Sequence, residues 1–568
     1  MIILNKNILN NACGENLAGA EEAVITEGSD YIFVNDPNFD PLTLYDLEGN
    51  IVNVNSWQEC IHYTKGNWST LPPETFDYSI LYAPLIITGI FSIIYYFFKK
   101  KGINKDTAFD SINKFKDKFS FISNNSKIMN FLILSILLIQ NFYIFDYVKA
   151  KATGLKPFVD EYISMTSNTE FFKNLDFNAG SAWEGSYSIY LTSGPISAIG
   201  SVIGWNLTGN FDIARVSNFY WIYFLQLFFC LVLYKIYSLN NRFIFLSTGL
   251  FLLIIPWWTG PLYSLGEVAA TLIFVNSIYL FNWNRNISII LFSFSIFFGK
   301  LLLIIPFGAF YLAYFALNRN LKKAVKDFSF FLIPLLVWLL LVSLNYESGT
   351  ITDYLVNMYN LITNHQSSGV DTFSNFSFVN ILSNLNQSEY SQWNRYDIFR
   401  LLYFPIIFVF LVLKNKVNIE NTFGNIAIPL ISSISMTYVW FWLLSETKWI
   451  RYSQHFTVII IISLLLFLGF GIIKKRVDLF LTIISLGLMM DDRKELLMPL
   501  VILTFFMLVA NSEDFRIKYS RIIIFLILSA NFIYPYYENQ NKPSLDFVII
   551  ECSETLLSDN CKDRYFNE

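Results

Sequence analysis

Histidine and cysteine are scarce in this chain of 568 residues, which has three of the first and five of the second. A His-based metal cluster is therefore hard to assemble, and neither a His-Glu zinc helix nor a Cys-X-X-Cys pair occurs. There is no glycine-rich loop of the kind that cradles phosphate at a helix start. Charge is sparse too: charged residues make up 15% of the chain and the net charge is -4, which excludes the basic face that nucleic-acid binding requires. What abounds is apolar surface. Hydrophobic residues make up 54% and aromatic ones 18%, more than the exterior of one soluble domain tolerates.

A hydrocarbon core of ~30 Å takes roughly 17 to 25 apolar helical residues to cross. Stretches such as "IMNFLILSILLIQNFYIFDYV" (128–148) and "FTVIIIISLLLFLGFGII" (456–473) have that length. Apolar runs bounded by polar residues predict an all-α polytopic membrane protein with about 14 transmembrane helices. These fall near 78–98, 128–148, 217–237, 243–258, 266–282, 286–299, 301–316, 328–345, 398–413, 423–444, 456–473, 477–490, 496–510 and 520–536.

Charge sets the expected orientation, because cytoplasmic loops accumulate Lys and Arg. With "KKKGINK" (99–105) inside, alternation puts "LNRNLKKAVK", "KNK", "KKR" and "RIKYSR" on the same side. The inward connections and their flanks then hold 23 of the 40 basic residues, and the much longer outward segments hold 17. Both tails face outward in this arrangement. Residues 1–77 carry twelve acids against Lys6 and Lys65, reading as turns and short extended pieces without a cleavable signal pattern. Cys13 with Cys60, and Cys552 with Cys561, are disulfide candidates in an oxidising compartment, while Cys230 reads as a small buried hydrophobe. The expected organisation is an outer N-terminal segment (1–77), a first helix with a basic linker (78–127), a transmembrane core (128–475) with outer loops 149–216 and 346–397, further helices (476–536) and an outer tail (537–568). Within the first loop, "GPISAIGSVIGW" (194–205) is too short to cross and reads as an interfacial or re-entrant helix.

With soluble-enzyme motifs absent, candidate chemistry rests on charges at the outer rim. Asp160 and Glu161, in "LKPFVDEYISM", form an acid pair just beyond a span that suits a divalent cation or a proton taken from a hydroxyl; solvated loop acids are the plainer alternative. Asp212 and Arg215 stand one helical turn apart at the head of a span, as an ion pair or an interfacial anchor. Glu267 sits at the mouth of a helix, where the dipole stabilises an acid. Lys300 interrupts an apolar stretch and either snorkels to water or meets a lipid phosphate. In "SETKWIRYSQHF" (445–456), Lys448, Arg451, Tyr452 and His455 form a basic cluster suited to an anionic headgroup or to plain interfacial anchoring.

Taken in order, "DE" (160–161), "DIARVS" (212–217), the lone Lys300 and "KWIRY" (448–452) resemble the integral-membrane glycosyltransferases of the GT-C fold. That group includes the protein O-mannosyltransferases and the aminoarabinose transferases of lipid A. The resemblance covers roughly residues 128–475 and implies inverting transfer of a sugar from a polyprenyl-phosphate carrier to a lipid, glycan or protein acceptor. It implies a multi-pass protein of the plasma (inner) membrane with an outward active site. In that likeness Asp160 resembles the catalytic acid, with Glu161 beside it and Glu267 as a second acid. Arg451 with Lys448 resembles the carrier-phosphate site, assisted by Lys300, with Asp212, Arg215, Tyr452 and His455 in support. The resemblance fixes no cofactor, and a divalent metal at Asp160 and Glu267 stays open. The sequence departs from the family pattern after Arg451-Tyr452, where "SQHF" stands in place of the usual prolines. The other readings kept open are a lipid-linked oligosaccharide polymerase or ligase, for which His365, Asp371 and Arg395 in 346–397 speak, a transporter or flippase of a lipid-linked or anionic solute, and a non-catalytic assembly subunit.

Overall fold

The fold is given by a computed structural model that describes residues 126–154, 159–175, 189–208, 211–237, 249–253, 260–345, 351–364, 395–445, 450–489 and 513–541, with Ser247, Thr504 and five short strands between residues 2 and 53. The strands form two small antiparallel sheets. β1 (Ile2–Asn5) pairs with β2 (Glu22–Ile25), and β3 (Tyr31–Val34), β4 (Thr43–Asp46) and β5 (Ile51–Asn53) follow in sequence order. These are the extended pieces expected in 1–77. Cys13, Cys60, Cys552, Cys561 and the expected crossing at 78–98 lie outside the described residues, as does nearly all of 496–510.

The other elements among the described residues are helices. In chain order the helices are α1 (Ser126–Gly154), α2 (Val159–Asn174), α3 (Ile199–Thr208), α4 (Phe211–Ile236), α5 (Glu267–Leu280), α6 (Arg285–Phe297), α7 (Ile304–Asn318), α8 (Leu321–Asn345) and α9 (Ile351–Asn364). There follow α10 (Arg395–Lys414), α11 (Lys416–Phe423), α12 (Ala427–Val439), α13 (Gln454–Gly469), α14 (Arg476–Leu488) and α15 (Glu513–Asn541). Among the described residues five helical stretches are long and apolar enough to cross a membrane: Asp212–Ile236, Leu301–Asn318, Leu321–Ser343, Ala427–Leu444 and Ile450–Gly469. A sixth arises if α10 and α11, bent by 76°, are one broken span. The described residues thus do not reach fourteen crossings. Residues 266–282, 286–299 and 477–490 form helices of only 14, 13 and 13 residues, and of 243–258 only a 3-10 turn at Leu250–Leu253 is described.

The burial pattern follows from composition. α13 is apolar all round and every residue in it is buried, as expected of a helix at the centre of a bundle. α5 is likewise buried along its whole length and packs against α13 and α6. α8 instead exposes Phe328, Leu336 and Leu340, a face that suits lipid. α3 buries Gly200, Ser201, Val202 and Gly204 but leaves Ile203 and Leu207, one turn apart, 53% and 79% exposed. This is the one-sided helix expected of an interfacial segment.

One contact prepares the functional end. Residues 192–196 run antiparallel to 298–301, with Gly194 N–H donating to Gly299 O at 2.7 Å, Ile196 N–H to Phe298 O at 3.1 Å and Leu301 N–H to Thr192 O at 2.9 Å. A Cβ on Gly194 would lie 2.2 Å from the Phe298 carbonyl carbon, so only glycine admits this approach. We expect Gly194→Ala to destabilise the protein by about 1–3 kcal/mol through forced overpacking, seen as a lower melting temperature in detergent; unchanged melting would mean that the two segments do not pair.

Candidate functional site

α5 and α6 form a helical hairpin whose open end brings Glu267 and Lys300 together. Gly266, at φ 99° in the left-handed region, turns the chain into α5, so that Glu267 is its first residue. Lys300 leaves α6 in extended backbone, bridged to Ser193 by the pairing with 192–196. Its Nζ donates to Ser193 Oγ at 2.7 Å and lies 3.3 Å from Glu267 Oε1. At 12% side-chain exposure Lys300 is turned inward, so the option that it snorkels to open water does not describe this fold.

Arg451 arrives from the opposite direction. The last turn of the span containing α12 widens into a π-helix at Trp440–Leu444, and the chain returns through a 3-10 turn at Ile450–Ser453 that leads into α13. π-turns recur at functional sites. Arg451 Nε is 4.0 Å from Glu267 Oε1, and the guanidinium lies 5.3 Å over the Tyr452 ring. Glu267 and Arg451 are both buried, and Oε1 of Glu267 makes no hydrogen bond among the described residues. A carboxylate and two cations have thus been drawn out of water, an arrangement costly enough that it usually marks function.

His455 occupies the first turn of α13, fully buried. Its Nδ1 lies 3.3 Å from Thr271 Oγ1, and its ring stacks on Tyr452 at 6.3 Å between centroids. Of the late segment read as an outward loop, Ile450–Ser453 form a 3-10 turn and Gln454–Phe456 a helix start, all buried inside the bundle. Ser193 and Thr271 were not singled out in the sequence. Thr271 had a discoverable signal, being four residues after Glu267 and hence on the same helical face; Ser193 had none.

The other candidates fall elsewhere or outside description. Asp160 and Glu161 lie on the first turn of α2, but their side chains, like Lys448, are outside the described residues, as are His365, Asp371 and the side chain of Arg395. Asp212 is half-buried on the first turn of α4. Arg215 is not a surface anchor: it is buried, donates to the Ala152 carbonyl at 2.7 Å and sits 5.4 Å from the Tyr263 ring centre. Cys230 is buried and its Sγ accepts from Gln226 Nε2 at 3.4 Å. No three His, Cys, Asp or Glu side chains gather among the described residues, and Glu267 faces two cations, a donor set that does not fit a divalent ion there.

No known family matches the sequence, and no curated protein matches it either. Among solved structures the chain is similar to ArnT from Cupriavidus metallidurans bound to undecaprenyl phosphate, at 11% identity and a TM-score of 0.43, covering 71% of this chain and 77% of that one. The apo structure of the same protein gives a TM-score of 0.38 at the same identity and coverage. The likeness is coarse, and no residue role transfers through it.

Proposed function

We propose that this protein is a membrane glycosyltransferase that moves a sugar from a polyprenyl-phosphate donor to an acceptor on the extracytoplasmic face, with inversion. The observation that carries the reading is the convergence of Lys300 and Arg451 on the buried Glu267 carboxylate. An ammonium and a guanidinium side by side are the groups that hold a phosphate, the second offering a planar fork. Lys300 and Arg451 stand 3.3 and 4.0 Å from Oε1 of Glu267, which accepts no hydrogen bond among the described residues, so the carboxylate holds them by charge, which an entering anion can compete for.

In this reading the acceptor hydroxyl attacks the anomeric carbon from the face opposite the phosphate. The bond between that carbon and the phosphate oxygen breaks, and its electron pair stays on the phosphate, where Lys300 and Arg451 stabilise the growing charge. The hydroxyl proton goes to a carboxylate, for which Asp160 is the candidate and Glu161 the neighbour. A donor whose phosphate is anchored to a polyprenyl tail reaches such a buried site from the bilayer.

Sidedness is supported by the helix directions. The hairpin places Arg285 at the end of α5 and α6 away from Glu267, and alternation puts Arg319, Lys322, Lys323, Lys326, Lys414, Lys416, Lys474, Lys475 and Arg476 at that same end. A basic end belongs in the cytoplasm, which leaves the Glu267 end outside. The transporter alternative is weakened because Glu267, Lys300 and Arg451 sit at helix ends and connections rather than in the middle of spans, where transport sites lie.

Two substitutions test the proposal. Arg451→Ala is expected to weaken binding of undecaprenyl phosphate by at least about tenfold, from the loss of a charge-assisted hydrogen bond. Lys416→Ala, at the basic end and paired on the surface with Glu420 at 3.8 Å, is expected to leave binding unchanged. Equal effects would remove the phosphate site. Asp160→Asn is expected to lower sugar transfer by roughly 100-fold or more with binding retained, the loss associated with a missing general base; full activity would remove Asp160 from the chemistry.

A further inference from the structure

The two ring nitrogens of His455 are not equivalent, and hydrogen-bond arithmetic assigns their roles. Thr271 has one hydroxyl proton to give. That proton is committed, since Oγ1 donates to the Glu267 carbonyl oxygen at 2.6 Å, back along α5. Toward His455, 3.3 Å away, Oγ1 can therefore offer only a lone pair, so Nδ1 carries the hydrogen between them. The ring is fully buried, and Lys300 and Arg451 add positive charge beside it, both of which disfavour a further charge on the imidazole. The ring is then neutral, and Nε2 is left with a lone pair.

Nε2 is buried and has no hydrogen-bond partner among the described residues. A buried acceptor without a donor is rare in a native core, and an unmade bond of this kind points to a ligand. The same ring stacks on Tyr452, next to Arg451, which places it at the edge of the Lys300 and Arg451 pair. A phosphate oxygen does not suit this position, because it would set lone pair against lone pair. A hydroxyl does.

We infer that Thr271 holds His455 as the Nδ1–H tautomer and that Nε2 accepts a hydrogen bond from a substrate hydroxyl next to the bound phosphate, carried by the transferred sugar or by the acceptor. This rests on the site being one of phosphate binding and sugar transfer. It adds a positioning contact for a hydroxyl, distinct from the cations that hold the charge.

Because the chain has only three histidines, His62, His365 and His455, the purified full-length protein labelled with 15N-histidine yields a resolvable spectrum, with His455 assigned by its loss in His455→Gln. The expected result without ligand is a neutral ring protonated at Nδ1. Protonation at Nε2, or at both nitrogens, would overturn the inference whether or not the protein transfers sugar. Adding a polyprenyl-phosphate-linked hexose is expected to shift the Nε2 signal, and bare undecaprenyl phosphate is not; a shift that appears only on adding acceptor assigns the hydroxyl to the acceptor instead. No shift under any condition overturns the contact.

The variants separate this role from a structural one. His455→Gln puts an amide oxygen near the Nε2 position and is expected to keep transfer within roughly threefold, whereas His455→Asn keeps only the donor toward Thr271 and is expected to lose at least about tenfold. The reverse order, or equal losses in two variants that melt like wild type, would reduce His455 to a packing element. If Arg451→Ala still binds undecaprenyl phosphate normally, the phosphate reading fails by itself, and the tautomer spectrum still decides the fate of the Thr271–His455 assignment.

Discussion

A single buried carboxylate organises this protein. Glu267 is approached by Lys300 and Arg451, which lie 33 and 184 residues further along the chain. In a low-dielectric interior none of the three is tolerable alone, since breaking a buried pair costs about 3–5 kcal/mol. Each local feature around them serves to hold that meeting in place. Gly266 turns α5 so that an acid begins it, the short antiparallel pairing of 192–196 with 298–301 fixes where Lys300 leaves the backbone, and the π-turn and 3-10 turn before α13 deliver Arg451.

The two ends of the bundle use charge differently. At the basic end Arg285 donates from Nε to both oxygens of Asp327, at 2.7 and 2.8 Å, while Tyr311 donates to the same carboxylate at 2.7 Å and Tyr314 is bound through Nη1. Burial lowers the guanidinium's hold on its proton, but Asp327 more than offsets this and raises it. Lys414 and Asn415 close on Asp478, and Arg521 caps the end of α13 through the Leu468 carbonyl. These groups are matched at hydrogen-bond distance, as befits clamps between helices. At the other end the two ion pairs of Glu267 are longer, and Nε2 of His455 has no donor among the described residues.

How far the sequence could be read depended on what each residue costs to bury. Glu267, Lys300 and Arg451 were visible because a charge inside or beside an apolar run demands a partner. Ser193 was not, since a hydroxyl is cheap to place anywhere and its importance comes from which segment crosses it, while Thr271 was marked only by its place one helical turn after Glu267. Asp327 borders the run 328–345 and Asp478 lies in the first turn of the run 477–490, and neither position names its partner in sequence, so the clamps they make are apparent only in three dimensions. The apolar runs at 266–282, 286–299 and 477–490 are helices, but of 14, 13 and 13 residues, because composition alone does not fix where a helix ends within an apolar run. α3 was legible as non-crossing, its length being decisive, and the exposed Ile203 and Leu207 show the reason.

The brevity of the α5–α6 hairpin has one more consequence. At 14 and 13 residues these helices rise about 20 Å, against a hydrocarbon thickness of ~30 Å. A hairpin fixed at the basic interface by Arg285 would stop roughly 10 Å short of the other leaflet's surface. Hydrophobic mismatch of this size is met by thinning the bilayer or by sinking the open end beneath the headgroups. On the proposed function, a site at a sunken open end lies at the depth of the first isoprene units, so a water-borne sugar nucleotide would have to leave its solvent to get there, and a donor already dissolved in lipid would not.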